Sequence, residues 1–192
     1  MASLPEPLAA LVRDHRLIDE VVGEARETIE RASQHPEDQR FVAEAIERLR
    51  DLDAFADVDL ALHIEKEEAV LFPVLRGLAD EDVIVDEMLA QHDMIKERQV
   101  MLQRALAALD SHHDDVRAER GQLATTLQDA GEAPSAELLA NLREIVRRLH
   151  AILQGHFGDE EDDLFGPAAE LLAPEALARL AVEIAAIDRA AG

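Results

Sequence analysis

The chain has 192 residues, a length that suits one compact domain with a sizeable hydrophobic core. Its formal net charge is −23 with only 19 basic residues, which disfavours nucleic acid and anionic membranes as partners. The absence of cysteine excludes disulfides, thiolate metal sites and thiol catalysis. Any metal must therefore bind histidine, aspartate or glutamate.

The composition favours helix over sheet, because Ala, Leu, Glu and Arg dominate while Gly and Pro are sparse. The N-terminus has no basic stretch followed by an apolar run. No window reaches the roughly 18 apolar residues that a membrane span needs. We therefore expect an all-α protein in the cytoplasm.

The first predicted helix begins near Ser3 and ends where His35 and Pro36 interrupt the helical spacing of apolar residues. A second helix begins after Pro36, and its apolar stripe continues to Gly77. Proline removes a backbone donor and disfavours a helix interior, so we expect this helix to bend or end near Pro73.

Asp80 is suited to cap a third helix, whose apolar stripe runs as far as Leu109. The acidic stretch Asp110 to Asp115 predicts a break in that helix. A further helical segment then extends to Ala130.

A fourth helix follows Gly131 and Pro134 and should stop near Gly166 and Pro167. A final helix is expected from Pro174 to about Ala190. The predicted fold is an antiparallel up-down four-helix bundle with an additional C-terminal helix. We assign residues 1–170 to the bundle and 171–192 to the C-terminal helix, packed on or beside it.

Two segments of the sequence repeat each other as H-apolar-x-x-E-E-x-x-L-F-(G)-P. Such a repeat indicates two helix pairs related by a pseudo-twofold axis. The segments are His63-Ile64-Glu65-Lys66-Glu67-Glu68-Ala69-Val70-Leu71-Phe72-Pro73 and His156-Phe157-Gly158-Asp159-Glu160-Glu161-Asp162-Asp163-Leu164-Phe165-Gly166-Pro167.

Each repeat places a histidine and a glutamate four residues apart, which puts both side chains on one face of a helix. Helices one and three each carry a further histidine on their apolar stripe, so every bundle helix points one imidazole toward the core. The candidate metal ligands are His15, His63, Glu67, His92, His156 and Glu160.

A single histidine on an apolar stripe is more often a hydrogen-bonded core residue than a ligand. Burying four imidazoles and two carboxylates without compensation would cost several kcal/mol per charge, against a net domain stability of about 5–15 kcal/mol. The full set therefore indicates metal binding. Nitrogen and oxygen ligands without sulfur suit iron, manganese or zinc, and two carboxylates that can bridge favour two ions.

The pattern resembles the hemerythrin family, specifically its HHE cation-binding domains, from about Leu8 to Pro167. That resemblance implies two iron ions joined by an oxo or hydroxo bridge. It further implies that His15 and His63 bind one iron, that His92 and His156 bind the other, and that Glu67 and Glu160 bridge them.

The sequence departs from the oxygen-carrying hemerythrins at two positions. Where those carriers have a second histidine four residues after the third-helix one, this chain has Lys96, which either reaches solvent or acts as an outer donor. Where they have an aspartate five residues after the fourth-helix histidine, it has Glu161. Either Glu160 or Glu161 can then bridge, and symmetry with Glu67 favours Glu160. The more symmetric site disfavours simple oxygen carriage.

Three classes of function follow from these residues. The first is a di-iron protein that binds or senses oxygen, nitric oxide, peroxide or iron, with a separate protein partner if it is a sensor. The second is an enzyme that breaks down hydrogen peroxide or oxidises iron. The third is a metal-independent helical interaction module. His35, His112 and His113 are expected at the surface because they lie in predicted loop or acidic segments.

Overall fold

The computed structural model describes residues 4–80, 89–130 and 134–191, with side chains at 4–77, 106, 109, 111–130 and 134–190. All regular structure within these ranges is helical, which confirms the predicted all-α class. The antiparallel up-down arrangement of four helices stays a prediction. The helical segments span residues 6–34, 39–80, 89–130, 136–171 and 174–191.

Helix α1 (Glu6–Gln34) ends where the sequence predicted, directly before His35. Helix α2 (Gln39–Phe55) follows after a short turn and is capped by Asp38, whose carboxylate accepts a hydrogen bond of 3.0 Å from the Arg40 backbone N–H. The Arg40 side chain also donates to Asp38, and this hydrogen bond lowers the pKa of the Asp38 carboxyl. A side-chain oxygen at this position satisfies a backbone donor that the helix itself leaves open.

The second helical segment runs without interruption from residue 39 to residue 80. After α2 come a π-helical turn, π1 (Ala56–Leu60), helix α3 (Ala61–Lys66), a second such turn, π2 (Glu67–Leu71), and helix α4 (Phe72–Asp80). The expected end near Pro73 is therefore wrong, while a bend at that position stays a prediction. A proline ring meets the carbonyl four residues earlier, which here belongs to Ala69 inside the widened turn π2.

Helix α5 (Leu89–Ala130) is continuous, so the break expected between 110 and 115 is also wrong. Leu109 and Val116 are buried seven residues apart, and Leu123 is buried another seven residues on. This apolar stripe keeps the helix in one piece through its acidic stretch. The predicted start of the helix beyond Asp80 falls on residues 81–88, outside the described residues.

The fourth helical segment consists of α6 (Ala136–Asp159), a third π-helical turn, π3 (Glu160–Leu164), and α7 (Phe165–Leu171). It passes through Gly166 and Pro167, where the sequence predicted a stop. The carbonyl four residues before Pro167 belongs to Asp163, which lies in π3, so both prolines follow a widened turn. The last helix, α8 (Pro174–Ala191), matches its prediction.

The chain divides into two compact units, and each dividing position lies inside a helix. The first unit contains residues 1–13, 62–111 and 156–192. Its apolar core draws on α1, π2, α4, α5, π3, α7 and α8. The buried members are Leu8, Leu11, Val12, Val70, Leu71, Phe72, Leu75, Leu106, Leu109, Leu164, Phe165, Ala168, Leu172, Leu180 and Ile184.

The second unit contains residues 14–61 and 112–155. Its buried apolar residues recur at helical spacing along α1, α2, α5 and α6, as in Ile18 and Val22 of α1. A bidentate ion pair joins α5 to α6, with Arg148 Nε 2.8 Å from Glu119 Oε1. The hydrogen bond from Arg148 to Glu119 raises the pKa of the guanidinium.

No helix in the described part of the chain combines the length and apolar character that crossing a bilayer requires. The domain boundary expected at residue 170 stays a prediction. The C-terminal helix nonetheless contributes Leu180 and Ile184 to the core of the first unit.

Candidate metal site

The first repeat places one imidazole and one carboxylate side by side in the protein interior. His63 lies in α3 and Glu67 begins π2, and their exposed fractions are 1% and 0%. His63 Nε2 lies 3.1 Å from Glu67 Oε1. The four-residue spacing thus brings the pair together as the sequence predicted.

The second repeat forms the equivalent pair with a longer separation. His156 lies in α6 and Glu160 begins π3, and His156 Nε2 is 3.6 Å from Glu160 Oε2. Glu160 is fully buried, whereas Glu161 is exposed. Of the two glutamates that the sequence left open, Glu160 is the one beside the imidazole.

Glu67 also links the two repeats. Its Oε1 faces His63, and its Oε2 lies 3.7 Å from His156 Nε2. The two oxygens of one carboxylate are therefore directed at imidazoles from different repeats. A carboxylate placed in this way can bridge two metal ions.

Both glutamates stand at the start of a π-helical turn, and both turns close on a phenylalanine. The Phe72 N–H donates to the Glu67 carbonyl, and the Phe165 N–H donates to the Glu160 carbonyl. Single π turns inside α-helices are often found at functional sites, because the extra residue changes the direction in which side chains leave the helix. The sequence repeat is thus also a repeat of backbone conformation.

The aromatic side chain of Phe157 contacts both imidazoles. The Phe157 ring meets His63 edge-on, with ring centroids 6.0 Å apart, and lies 5.7 Å from the His156 ring. Phe72 and Phe165 are fully buried in the core of the first unit. Phe157 thus gives the two buried imidazoles a shared apolar neighbour.

His15, predicted as a ligand in the first helix, is buried with 2% exposure. One ligand atom from each of His15, His63, Glu67 and Glu160 lies within 4.8 Å of the others. His92 belongs to α5, but its side chain lies outside the described residues. The same holds for Lys96, so both assignments stay predictions.

The histidine that sequence reasoning missed is His113. It was expected at the surface, but it is fully buried, and its ligand atom lies within 4.8 Å of those of Glu67 and His156. The acidic neighbours made this stretch look like a hinge. The signal that could have identified His113 is its position four residues after Leu109 and three before Val116, which is the spacing of one helix face.

A family model described as the hemerythrin HHE cation binding domain matches residues 6–107, which is more than half of the chain. The chain belongs to the hemerythrin HHE family. This confirms the resemblance inferred from the two repeats. A search of curated proteins found no match.

Membership of the hemerythrin HHE family implies that the domain binds metal ions. The matched residues contain His15, the first repeat and His92. They end before His113 and the second repeat, so the grouping of those residues depends on the geometry alone.

The residues in the site fit a metal of the kind that the HHE family binds. Glu67 and Glu160 are fully buried carboxylates, and the adjacent His63 and His156 are each only 1% exposed. Buried carboxylates need positive charge or strong hydrogen bonds nearby. The donor atoms are imidazole nitrogen and carboxylate oxygen, a combination that suits iron, manganese and zinc.

Proposed function

We propose that this chain is a non-heme di-iron protein that binds or senses a small ligand, namely oxygen, nitric oxide or peroxide, in a redox or stress response. The observation that carries the proposal is the position of Glu67, whose two oxygens lie 3.1 Å and 3.7 Å from imidazoles of the two repeats. One shared carboxylate with a histidine on each side suits two ions held as a pair.

In this proposal, His63 and His156 serve different ions while Glu67 and Glu160 provide carboxylate oxygens. His15 completes the set on the side of His63. The support is the burial of all five side chains and the proximity of their ligand atoms. The solvent-derived bridge implied by the family resemblance stays part of the proposal.

We assign the ligand from α5 to His113, with His92 as the alternative. His113 is fully buried, and its ligand atom is grouped with those of Glu67 and His156. The test is to replace each histidine by alanine and measure iron per chain. We expect His113→Ala to lose iron and His92→Ala to retain it, and the reverse result would restore the assignment made from the sequence.

Bound iron would supply one-electron redox chemistry and coordination positions open to small ligands. The residues of the chain would position the iron. Phe157 packs against both imidazoles, which are buried. The net charge of −23 attracts cations to the protein as a whole. A cytoplasmic location and a separate output partner are further parts of the proposal.

The experiment that tests this function is purification without added metal, followed by iron analysis and optical spectra. We expect about two iron ions per chain, as in other di-iron helical bundles. Reversible spectral changes with oxygen, nitric oxide or peroxide would support binding or sensing. Repeated release of oxygen from peroxide would make the protein an enzyme instead. If the purified chain contains no metal and its stability does not change when a chelator is added, the proposal is contradicted and an interaction module is favoured.

A further inference from the structure

Lys66, directly before Glu67, has an unusual environment. It is 7% exposed and is the one lysine or arginine among the buried residues in the described part of the chain. Its Nζ lies 2.6 Å from Asp188 Oδ1 in α8. Lysine is rarely buried unless its ammonium group is paired, and Asp188 provides such a pairing for Lys66.

Asp188 lies at the edge of the buried face of α8, and its side chain is half exposed. Leu180 and Ile184 are buried on this helix, and Asp188 follows Ile184 by the same four-residue step. Ile187 packs against the same core, and Asp188 follows it at the margin of that packing. Its carboxylate pairs with the Lys66 ammonium group.

The same two elements pack together next to this ion pair. Helix α8 contacts the turn π2, and Val70 and Leu71 of π2 share a core with Leu180 and Ile184. Lys66 is the residue that leads into π2, and Glu67 is the first residue of the turn. The ion pair thus holds the C-terminal helix beside the turn that carries the shared carboxylate.

The second repeat lacks this arrangement. The residue equivalent to Lys66 is Asp159, which would repel Asp188. In the second repeat, Asp162 and Asp163 stand in place of Ala69 and Val70, and both aspartates are exposed. The first repeat therefore forms an ion pair with α8, whereas the equivalent residue of the second repeat carries the wrong charge to do so.

We propose that Lys66 and Asp188 form a positioning pair that fixes the turn of Glu67, so that the C-terminal helix slows release of metal from the first repeat. This inference rests on the proposed metal site. Groups outside the ligand set that orient the ligands change metal affinity by roughly 10- to 100-fold. The pair holds the backbone of π2, and through it the direction of the Glu67 side chain.

The test compares full-length wild type with Asp188→Asn, Lys66→Met, Asp188→Glu and the control Glu183→Gln, an exposed residue of the same helix. Each protein is loaded anaerobically with ferrous iron and mixed with excess chelator. We expect Asp188→Asn and Lys66→Met to release iron about 10-fold faster. Asp188→Glu and Glu183→Gln should stay near the wild-type rate.

Hydrogen exchange on the metal-free proteins gives a second measurement with an internal control. In Asp188→Asn, amides of residues 67–72 should exchange faster, while those of residues 160–165 should not change. Equal acceleration in both repeats would mean a general loss of stability and would overturn the proposal. So would wild-type release rates in both Asp188→Asn and Lys66→Met.

The two proposals fail in different ways. A wild-type chain that binds no iron refutes the metal site itself, whatever the variants do. A wild-type chain that retains iron, together with variants that release it no faster, refutes only the positioning role of Lys66 and Asp188.

Discussion

The two repeats share a local design but have different surroundings. In each, a histidine and a glutamate four residues apart are buried, the glutamate begins a π-helical turn, and a phenylalanine N–H closes that turn. Beyond the turns they diverge. The first repeat is paired with α8 through Lys66, while the second continues into exposed Glu161, Asp162 and Asp163.

The positions that the two repeats share are therefore those of the candidate ligands. The positions at which the repeats differ determine the surroundings of each turn. At the shared positions, the histidine and glutamate side chains are buried beside each other. The positions that differ decide which partner covers each turn. Glu67 is also closer to its own histidine than Glu160 is, at 3.1 Å against 3.6 Å, and its second carboxylate oxygen lies 3.7 Å from the other repeat's histidine.

The largest effect is expected from Glu67→Gln, because this carboxylate faces imidazoles of both repeats. The amide keeps the size of the side chain but removes the charge and one oxygen ligand. We expect iron to fall below about one ion per chain, with affinity reduced by more than about 100-fold. Metal analysis after purification measures it. Glu65→Gln, at an exposed position two residues away, serves as the control.

A smaller effect is expected from Glu160→Gln, because Glu160 lies 3.6 Å from His156, farther than Glu67 lies from His63. Iron content should fall by about half, since one repeat keeps both of its ligands. Glu161→Gln is the matched control, one residue on and exposed, and should leave iron unchanged. Equal losses in the two variants would show that Glu160 has no special role.

The smallest effect is expected at Asp38, far along the chain from both repeats. Asp38→Ala removes the cap of α2 and should lower the melting temperature by about 2 °C at neutral pH without changing iron content. A loss of iron in this variant would mean that metal content simply follows stability.

The effect at Asp38 should also depend on pH in a defined direction. A hydrogen bond from the Arg40 side chain lowers the pKa of Asp38 in the folded protein. A carboxyl with a lowered folded pKa stabilises the protein above its unfolded pKa, and this contribution is lost as pH falls through the folded value. The difference in melting temperature between wild type and Asp38→Ala should therefore shrink in acid.

Much of the fold could be predicted because apolar spacing and helix-breaking residues act locally. The end of α1 before His35 and the full extent of α8 were both visible in the sequence. The passage of helices through Pro73 and Pro167 was not. The helices continue through these prolines because π-helical turns precede them. The 3.6-residue spacing of apolar residues, from which helices are predicted, does not reveal a π-helical turn.

Within the candidate site, the repeat itself revealed the pairs His63 with Glu67 and His156 with Glu160. Sequence symmetry favoured Glu160 over Glu161, and the observed burial agrees with it. The position of His113 was missed because charged neighbours on the outer face masked its apolar stripe. The ion pair of Lys66 with Asp188 joins residues more than a hundred positions apart, so no local pattern could predict it.

The magnetic state of the iron in the wild-type protein, recorded together with iron per chain, tests directly whether Glu67 joins two ions. If Glu67 joins two ions, oxidised protein should contain about two iron ions whose spins are coupled, as expected for a carboxylate-bridged pair. Glu67→Gln should abolish that coupling, while Glu65→Gln should preserve it. Isolated, uncoupled iron in the wild type, or a chain that binds no iron, would contradict the account.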